Sequence, residues 1–200
     1  MIAVVDYGMG NLRSVQKAFE IQGFDARITN EKNIIRDASH LVLPGVGAIA
    51  DAMTNLNKSG LAGVLLSEIQ KGKPFLGICL GMQMLFEKSH EDGVHECLGL
   101  IEGEVVPFDV DLWVPHIGWN SLDSKDTAIL DGSGKEIYVY FVHSYHGVCK
   151  NEEDIAATTR YGYDFTSAVS RGNVFGVQFH PEKSGDAGLE ILNKFGGIKP

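Results

Sequence analysis

Between residues 2 and 88 the chain alternates short runs of strand character, several of them closed by glycine, with segments whose apolar residues fall at helical spacing. That alternation leaves few folds open. Strands that return in the same direction need a crossover between them, and helical crossovers cover both faces of a parallel sheet. Residues 2–7 are the first strand. Gly8-Met9-Gly10-Asn11 follows, and Leu12, Val15 and Phe19 then recur on one helical face, with Asn11 placed to cap it. Residues 24–29 and 40–43 read as further strands, the second running into Pro44-Gly45-Val46-Gly47, after which apolar and small residues recur over 48–69. A buried strand over 73–78 then leads through Cys79 into a helix predicted over 82–88.

The second half reads differently. Residues 100–108, 137–145, 155–161, 165–170 and 174–179 are strand-like, and Arg171-Gly172-Asn173 suits a hairpin turn, so the sheet is expected to become mixed or antiparallel. A helix over 185–195 keeps Leu189, Leu192 and Phe195 on one face. No repeat or linker interrupts the chain, and 44% apolar residues in a length of 200 can bury one core, so the reading is a single α/β domain over 1–200. Boundaries between 90 and 133 are not legible.

Several function classes drop out. The N-terminus meets Asp6 before any export-like apolar run develops, and no apolar stretch is long enough to span a bilayer, so the expectation is a cytoplasmic protein without membrane contact. Acidic residues outnumber basic ones by 26 to 17 with no basic cluster, which argues against nucleic acid as a partner. Three cysteines at irregular spacing, Cys79, Cys97 and Cys149, suit reduced thiols better than disulfides or a zinc site, and no metal or cofactor is expected.

The chemistry concentrates at Gly77-Ile78-Cys79-Leu80-Gly81, a strand that turns sharply into a helix. A side chain on such a turn stands proud of the sheet, flanking glycines remove clashing Cβ atoms, and the helix N-terminus favours a thiolate and offers the Leu80 N–H to an oxyanion. The other reading is a buried, inert cysteine at a strand end. A thiol nucleophile needs a base and the base an orienting group, and Val177-Gln178-Phe179-His180-Pro181-Glu182 offers both. On extended backbone residues two apart share a side, so Glu182 can fix the tautomer of His180. Singly, His180 is a turn histidine and Glu182 a helix-start carboxylate; with Cys79 they form a triad of unusual order. Pro44-Gly45-Val46-Gly47 is either an ordinary glycine turn or a second source of oxyanion N–H groups.

These segments carry a resemblance. GICLGMQ at 77–83 and VQFHPEKS at 177–184 are similar to the triad, or class I, glutamine amidotransferases. DYGMGNLRSV at 6–15, LPGVGAI at 43–49, VPHIGWNS at 114–121 and YFVHSYH at 140–146 resemble, more narrowly, the glutaminase subunits of imidazole glycerol phosphate synthase. Ile49 stands where those proteins usually carry an aromatic residue. The resemblance implies a flavodoxin-like amidotransferase fold, L-glutamine as substrate, and a separate (β/α)8-barrel synthase as heterodimer partner that receives the ammonia. It implies the catalytic set Cys79, His180 and Glu182, and an oxyanion hole from Val46, Gly47 and Leu80. It also implies glutamine contacts at Gly45, Gly47, Gln83, Glu91 and, through its backbone, Ser144, with a partner face at Asn11, Trp119, Tyr140 and Lys183. A related amidotransferase serving another synthase, for example in surface-sugar biosynthesis, would show the same glutamine motifs. A non-catalytic subunit that stabilises its partner would not need the complete triad. His143 and His146 read as structural.

Overall fold

In the computed structural model, which describes residues 1–199, the alternation of the first half is realised as a parallel sheet. Strands β1 (Ile2–Val5), β2 (Ala26–Thr29), β3 (His40–Gly45) and β4 (Phe75–Cys79) alternate with helices α1 (Leu12–Ile21), α2 (Lys32–Asp37), α3 (Ile49–Lys58) and α4 (Leu61–Gln70). The strands lie in the order β2-β1-β3-β4, all parallel. Their side chains sort by alternation. Val4, Val42, Leu76 and Ile78 pack with Val15 and Phe19 of α1, while Ala3, Val5, Leu41, Leu43 and Phe75 pack with Ile35, Leu56 and Leu65 of α2, α3 and α4. Each fully buried Leu, Ile, Val or Phe stabilises the fold by about 1.5–3 kcal/mol, so two such layers account for the strands' apolar character.

After β4 comes α5 (Leu80–Gln83), then β5 (Lys88–Ser89), β6 (His95–Glu96), β7 (Gly103–Pro107), β8 (His116–Ser124), β9 (Ile137–His143), β10 (Tyr145–Cys149), β11 (Ile155–Tyr161), β12 (Tyr163–Arg171), β13 (Val174–Val177) and α6 (Gly185–Gly196). β13 returns parallel to β4, beside which it extends the sheet; β12, β10 and β7 continue it antiparallel. The Arg171-Gly172-Asn173 turn is the expected hairpin between β12 and β13, with Gly172 at φ +60°. β8 pairs with β9 and β11 to one side. The fold is therefore a helix-flanked α/β sheet with an antiparallel section in its second half.

Four expectations change. The helix over 82–88 is a single turn beginning at Leu80, because the carbonyls of Met84, Leu85 and Phe86 that would continue it accept N–H groups from residues 98–101 instead. The strand over 137–145 is two strands, broken at Ser144 where the chain leaves β8 and joins β7. Asn11 occupies the start of α1, but its side chain makes no capping hydrogen bond. Pro44 and Gly45 lie in β3, Gly45 opposite Cys79, rather than in a loop.

Candidate active site

Cys79 has φ +54° and ψ −111°, outside the regions an L-residue adopts freely. The neighbouring glycines make that turn possible. A Cβ on Gly77 would lie 2.5 Å from the Gly81 carbonyl, and a Cβ on Gly81 would overlap the Leu43 carbonyl of β3. Since the Leu43 carbonyl is backbone of a buried strand and cannot give way, Gly81→Ala is expected to destabilise the protein by about 3 kcal/mol or more. A Cβ on Gly63, inside α4, would meet nothing within 4 Å, so Gly63→Ala should be neutral or stabilise by about 0.5–1 kcal/mol. Urea unfolding of the two variants checks the opposite signs. α5 is too short to act as a full helix dipole, so what the elbow offers an oxyanion is its unpaired N–H groups, Leu80 first.

His180 and Glu182 meet as expected: Nδ1 lies 2.9 Å from Oε1, both side chains almost fully buried. The reason differs from the sequence argument. His180 is extended, but Pro181–Lys183 is a 3-10 turn, and it is that turn which brings the carboxylate back to the ring. The histidine is anchored on both sides. Its N–H donates to the Tyr140 carbonyl at 2.9 Å, and the Ser184 hydroxyl donates to the His180 carbonyl at 2.6 Å while accepting the Tyr140 N–H at 2.9 Å. Burial works to lower the imidazole pKa, but its interactions with Cys79 and with the Glu182 carboxylate outweigh burial and raise it to about 9.

A cavity of about 390 Å³ opens over the elbow. Val46, Gly47, Cys79, Leu80, Gln83, Glu91, Ser144, His180 and Lys183 line it, so nearly every residue expected at the glutamine site is brought together. Gly45 is not among the lining residues: it is buried, and a Cβ there would lie 2.7 Å from the Tyr7 hydroxyl and 2.9 Å from the Leu80 Cβ. One Glu91 oxygen accepts the Ile49 N–H at 2.6 Å, at the start of α3, tying this carboxylate to the end of the Val46–Gly47 loop. The Ser144 carbonyl is taken by the Phe108 N–H, which leaves its own N–H and hydroxyl for a ligand. Pro115, Val142, His143 and Tyr145 complete the wall, and the sequence pointed to none of them as lining residues.

Sequence reasoning also missed Gln178 and Ser184 as parts of the site. Gln178 is fully buried; its Nε2 reaches the Cys79 sulfur at 3.8 Å and its Oε1 accepts Gln83 Nε2 at 3.1 Å. It follows directly on β13, and the chain bends at Gln178 and Phe179 before His180, so no strand alternation in the sequence points to it. Of the expected partner face, Trp119 is 57% exposed and meets Tyr140 edge-on at 6.2 Å between centroids, and the Lys183 ammonium lies 5.9 Å from the Tyr140 ring. Asn11 lines no part of the cavity.

A cysteine on a strained strand-to-helix elbow shares one cavity with a carboxylate-oriented histidine, an arrangement chemically able to support thiol acyl transfer on an α/β sheet. Residues 3–196 match the model of the class-I glutamine amidotransferases, and the chain belongs to that family. Solved structures of the same fold include a glutamine amidotransferase (TM-score 0.78, 19% identity, 99% of this chain and 100% of that one) and PurLQS from Thermotoga maritima (TM-score 0.77, 22% identity, 97% and 96%). Much nearer in sequence are proteins named imidazole glycerol phosphate synthase subunit HisH. The chain is 52% identical over 198 residues to that of Caldanaerobacter subterraneus subsp. tengcongensis, covering 98% of this chain and 97% of the relative. It is 50% identical over 194 residues to that of Aquifex aeolicus, covering 96% and 94%. Among the described residues no helix is long and apolar enough to cross a membrane.

Proposed function

We propose that this chain is the glutaminase subunit of imidazole glycerol phosphate synthase, and that residues 1–200 act as one cytoplasmic domain feeding ammonia to a separate (β/α)8-barrel synthase subunit in histidine biosynthesis. The observation that carries the residue assignments is the meeting of Cys79 on its elbow with the His180–Glu182 pair in one cavity.

The Cys79 sulfur attacks the glutamine carboxamide carbon, and the oxyanion that forms is held by the Leu80 N–H and by an N–H of the Val46–Gly47 loop. His180, protonated, gives its proton to the departing nitrogen, and ammonia leaves. It then takes a proton from water, which attacks the thioester and releases glutamate. Glu91 holds the substrate ammonium, and Gln83 and the Ser144 backbone hold the rest of the amino acid. Ammonia must travel sheltered, because in neutral water most of it becomes ammonium, which has no lone pair to attack with. Trp119, Tyr140 and Lys183 form the docking face for the synthase, beside Ile117 and Tyr138 on the same exposed side of β8 and β9. Asn11, at the start of α1, is assigned to the same partner face.

The second oxyanion donor also provides control. Gly47 sits at φ +92°, a conformation that glycine adopts freely and residues with a Cβ avoid. In the free subunit the peptide at Val46 presents its carbonyl to the site, and the liganded partner favours the flipped state; a thousandfold activation corresponds to a population shift of about 4 kcal/mol. Gly47→Ala should trap one state and abolish the response to the synthase's nucleotide. The test is glutamate release by the free subunit, by the complex, and by the complex with that nucleotide, together with imidazole glycerol phosphate formation. A free subunit as fast as the liganded complex refutes the gating. A complex that forms without making imidazole glycerol phosphate identifies a subunit serving another synthase, and one without glutamate release identifies a non-catalytic stabiliser.

A further inference from the structure

The β8–β9 ladder has two unlike faces. Ile117, Trp119 and Tyr138 are exposed on one, whereas His116, Leu122, Val139 and Phe141 are buried on the other. Along the buried side runs a line of polar groups whose protons can be assigned from either end. Asn120 Oδ1 accepts the Ser121 N–H at 2.9 Å, which turns Nδ2 towards His116 Nε2 at 3.3 Å and the Arg160 carbonyl at 3.0 Å. An accepting Nε2 carries no proton, so neutral His116 carries its proton on Nδ1 and donates to His143 Nε2 at 3.0 Å. His143 then donates from Nδ1 to the Tyr145 carbonyl at 2.9 Å. Starting from that carbonyl, which can only accept, gives the same tautomers. The Tyr145 carbonyl also accepts Gln83 Nε2 at 3.0 Å, and Gln83 Nε2 donates its second N–H to Gln178 Oε1 at 3.1 Å, while Gln178 Nε2 reaches the Cys79 sulfur.

We infer that this hydrogen-bonded chain, Asn120–His116–His143–Tyr145–Gln83–Gln178–Cys79, carries docking on the exposed face of β8 to the nucleophile. Asn120, His116 and His143 are thus positioning residues for the Ser144–Tyr145 backbone and, through the two glutamines, for the thiol. The inference rests on the reading that β8 and β9 meet the synthase.

Three properties suit the chain to that role. Both histidines are almost fully buried, so each link must be kept or replaced, because an orphaned buried polar group loses its water without gaining a partner. Burial also holds the His143 pKa down at about 3 and that of His116 at about 4, so no link is lost by protonation near neutral pH. And His143 directly precedes Ser144, the break between β9 and β10 that lines the cavity. A filler role predicts instead that an aromatic residue of similar shape would serve. His116 stacks on Tyr161 at 4.1 Å and on Phe141 at 4.8 Å between centroids, contacts that phenylalanine can keep while losing both ring nitrogens.

The experiment compares wild type and His116→Phe as free subunit and as complex with the synthase subunit, with and without the synthase's nucleotide substrate. Glutamate release and ammonia-dependent synthase turnover are both measured. Expected for His116→Phe are ammonia-dependent turnover and complex affinity within about twofold of wild type, slow free-subunit hydrolysis changed less than about threefold, and liganded-complex hydrolysis reduced at least about tenfold. A second variant adds a readout that packing alone does not move. In Asn120→Asp the carboxylate demands a proton from His116 Nε2, so His116 can still donate to His143 only as imidazolium. The groups facing that ring are residue 120, His143 and the rings of Phe108, Phe141, Tyr161 and Phe165. Partner-stimulated hydrolysis in this variant should therefore fall with rising pH beyond the wild-type dependence, and the extra fall should vanish in the double variant with His116→Phe. Retention of at least half the stimulated rate by His116→Phe, or equal loss in free subunit and complex, overturns the inference. If His116→Phe does not fold, a wild-type pH profile in Asn120→Asp overturns it alone. A wild-type complex that shows no stimulation refutes the partner reading, and the inference falls with it.

Discussion

Cys79→Ala should abolish glutamate release, whereas Cys97→Ser and Cys149→Ser should each keep most of it. The contrast comes from where the three thiols lie. Cys79 stands on the elbow, lines the cavity and interacts with His180, whose imidazolium form stabilises negative charge opposite it. Burial, with Glu96 adding to it, pushes the Cys97 thiol up to about 12, and burial pushes Cys149 to about 11, so neither supplies thiolate near neutral pH. Removing the sulfur leaves no covalent route, and water at the same place lacks the positioned nucleophile; the loss should exceed about 10⁴-fold, or roughly 5.5 kcal/mol in transition-state stabilisation. The Cys79→Ala complex should still use ammonium salts at high pH, since the ammonia-consuming chemistry belongs to the partner. Glutamate assayed from each variant, with product formation from ammonium as the control for assembly, decides the matter. Substantial hydrolysis by Cys79→Ala removes the nucleophile assignment, and loss of ammonia-dependent activity as well makes Cys79 a structural residue.

How much of this was legible depended on how local each signal is. The parallel half was readable because strands buried on both faces stay apolar at every position, as in Ile2–Val5 and Phe75–Cys79. The elbow and the His180–Glu182 pair were readable because the elbow glycines and the His180-Pro181-Glu182 spacing each lie within a few residues. What failed depended on partners far along the chain. β8 escaped notice because its exposed side carries Ile117 and Trp119 while its buried side carries His116, which inverts the usual alternation of polar and apolar residues. α5 is shorter than its own sequence predicts because residues 98–101 capture the carbonyls of Met84, Leu85 and Phe86 that would continue it. Gly45 reads locally as a loop residue, and only its pairing with the distant Cys79 makes it a strand end. Gln178 bonds Gln83 across 95 positions, and Ser184 bonds Tyr140 across 44, so their roles appear only once the sheet has assembled. Such contacts concentrate where function needs groups from separate elements at one point.

His180→Asn should lose about 10³–10⁴-fold in glutaminase kcat/KM, and Glu182→Gln should lose less, because glutamine can still accept the Nδ1 proton and orient the ring but cannot stabilise its charge. The pH dependence separates these two contributions. Burial lowers the His180 pKa, and Cys79 and Glu182 raise it past the ordinary 6.5 to about 9. Removing the Glu182 charge leaves burial less opposed, so the value falls. Proton donation to the departing ammonia uses the imidazolium, which is populated below that pKa; the alkaline limb of kcat/KM should therefore move to lower pH in Glu182→Gln. That limb reports the coupled thiol and imidazole rather than one group, but the direction of its shift is set by the carboxylate. Stability must follow the same sign. A group whose folded pKa is raised contributes stability that is complete below 6.5 and is lost as pH rises through about 9. Wild type should thus lose more unfolding free energy than Glu182→Gln between about pH 6 and pH 9.5, measured by urea unfolding. Coincident alkaline limbs in the two proteins, with parallel stability curves, would show that Glu182 only steadies the ring and that another group holds the proton on His180.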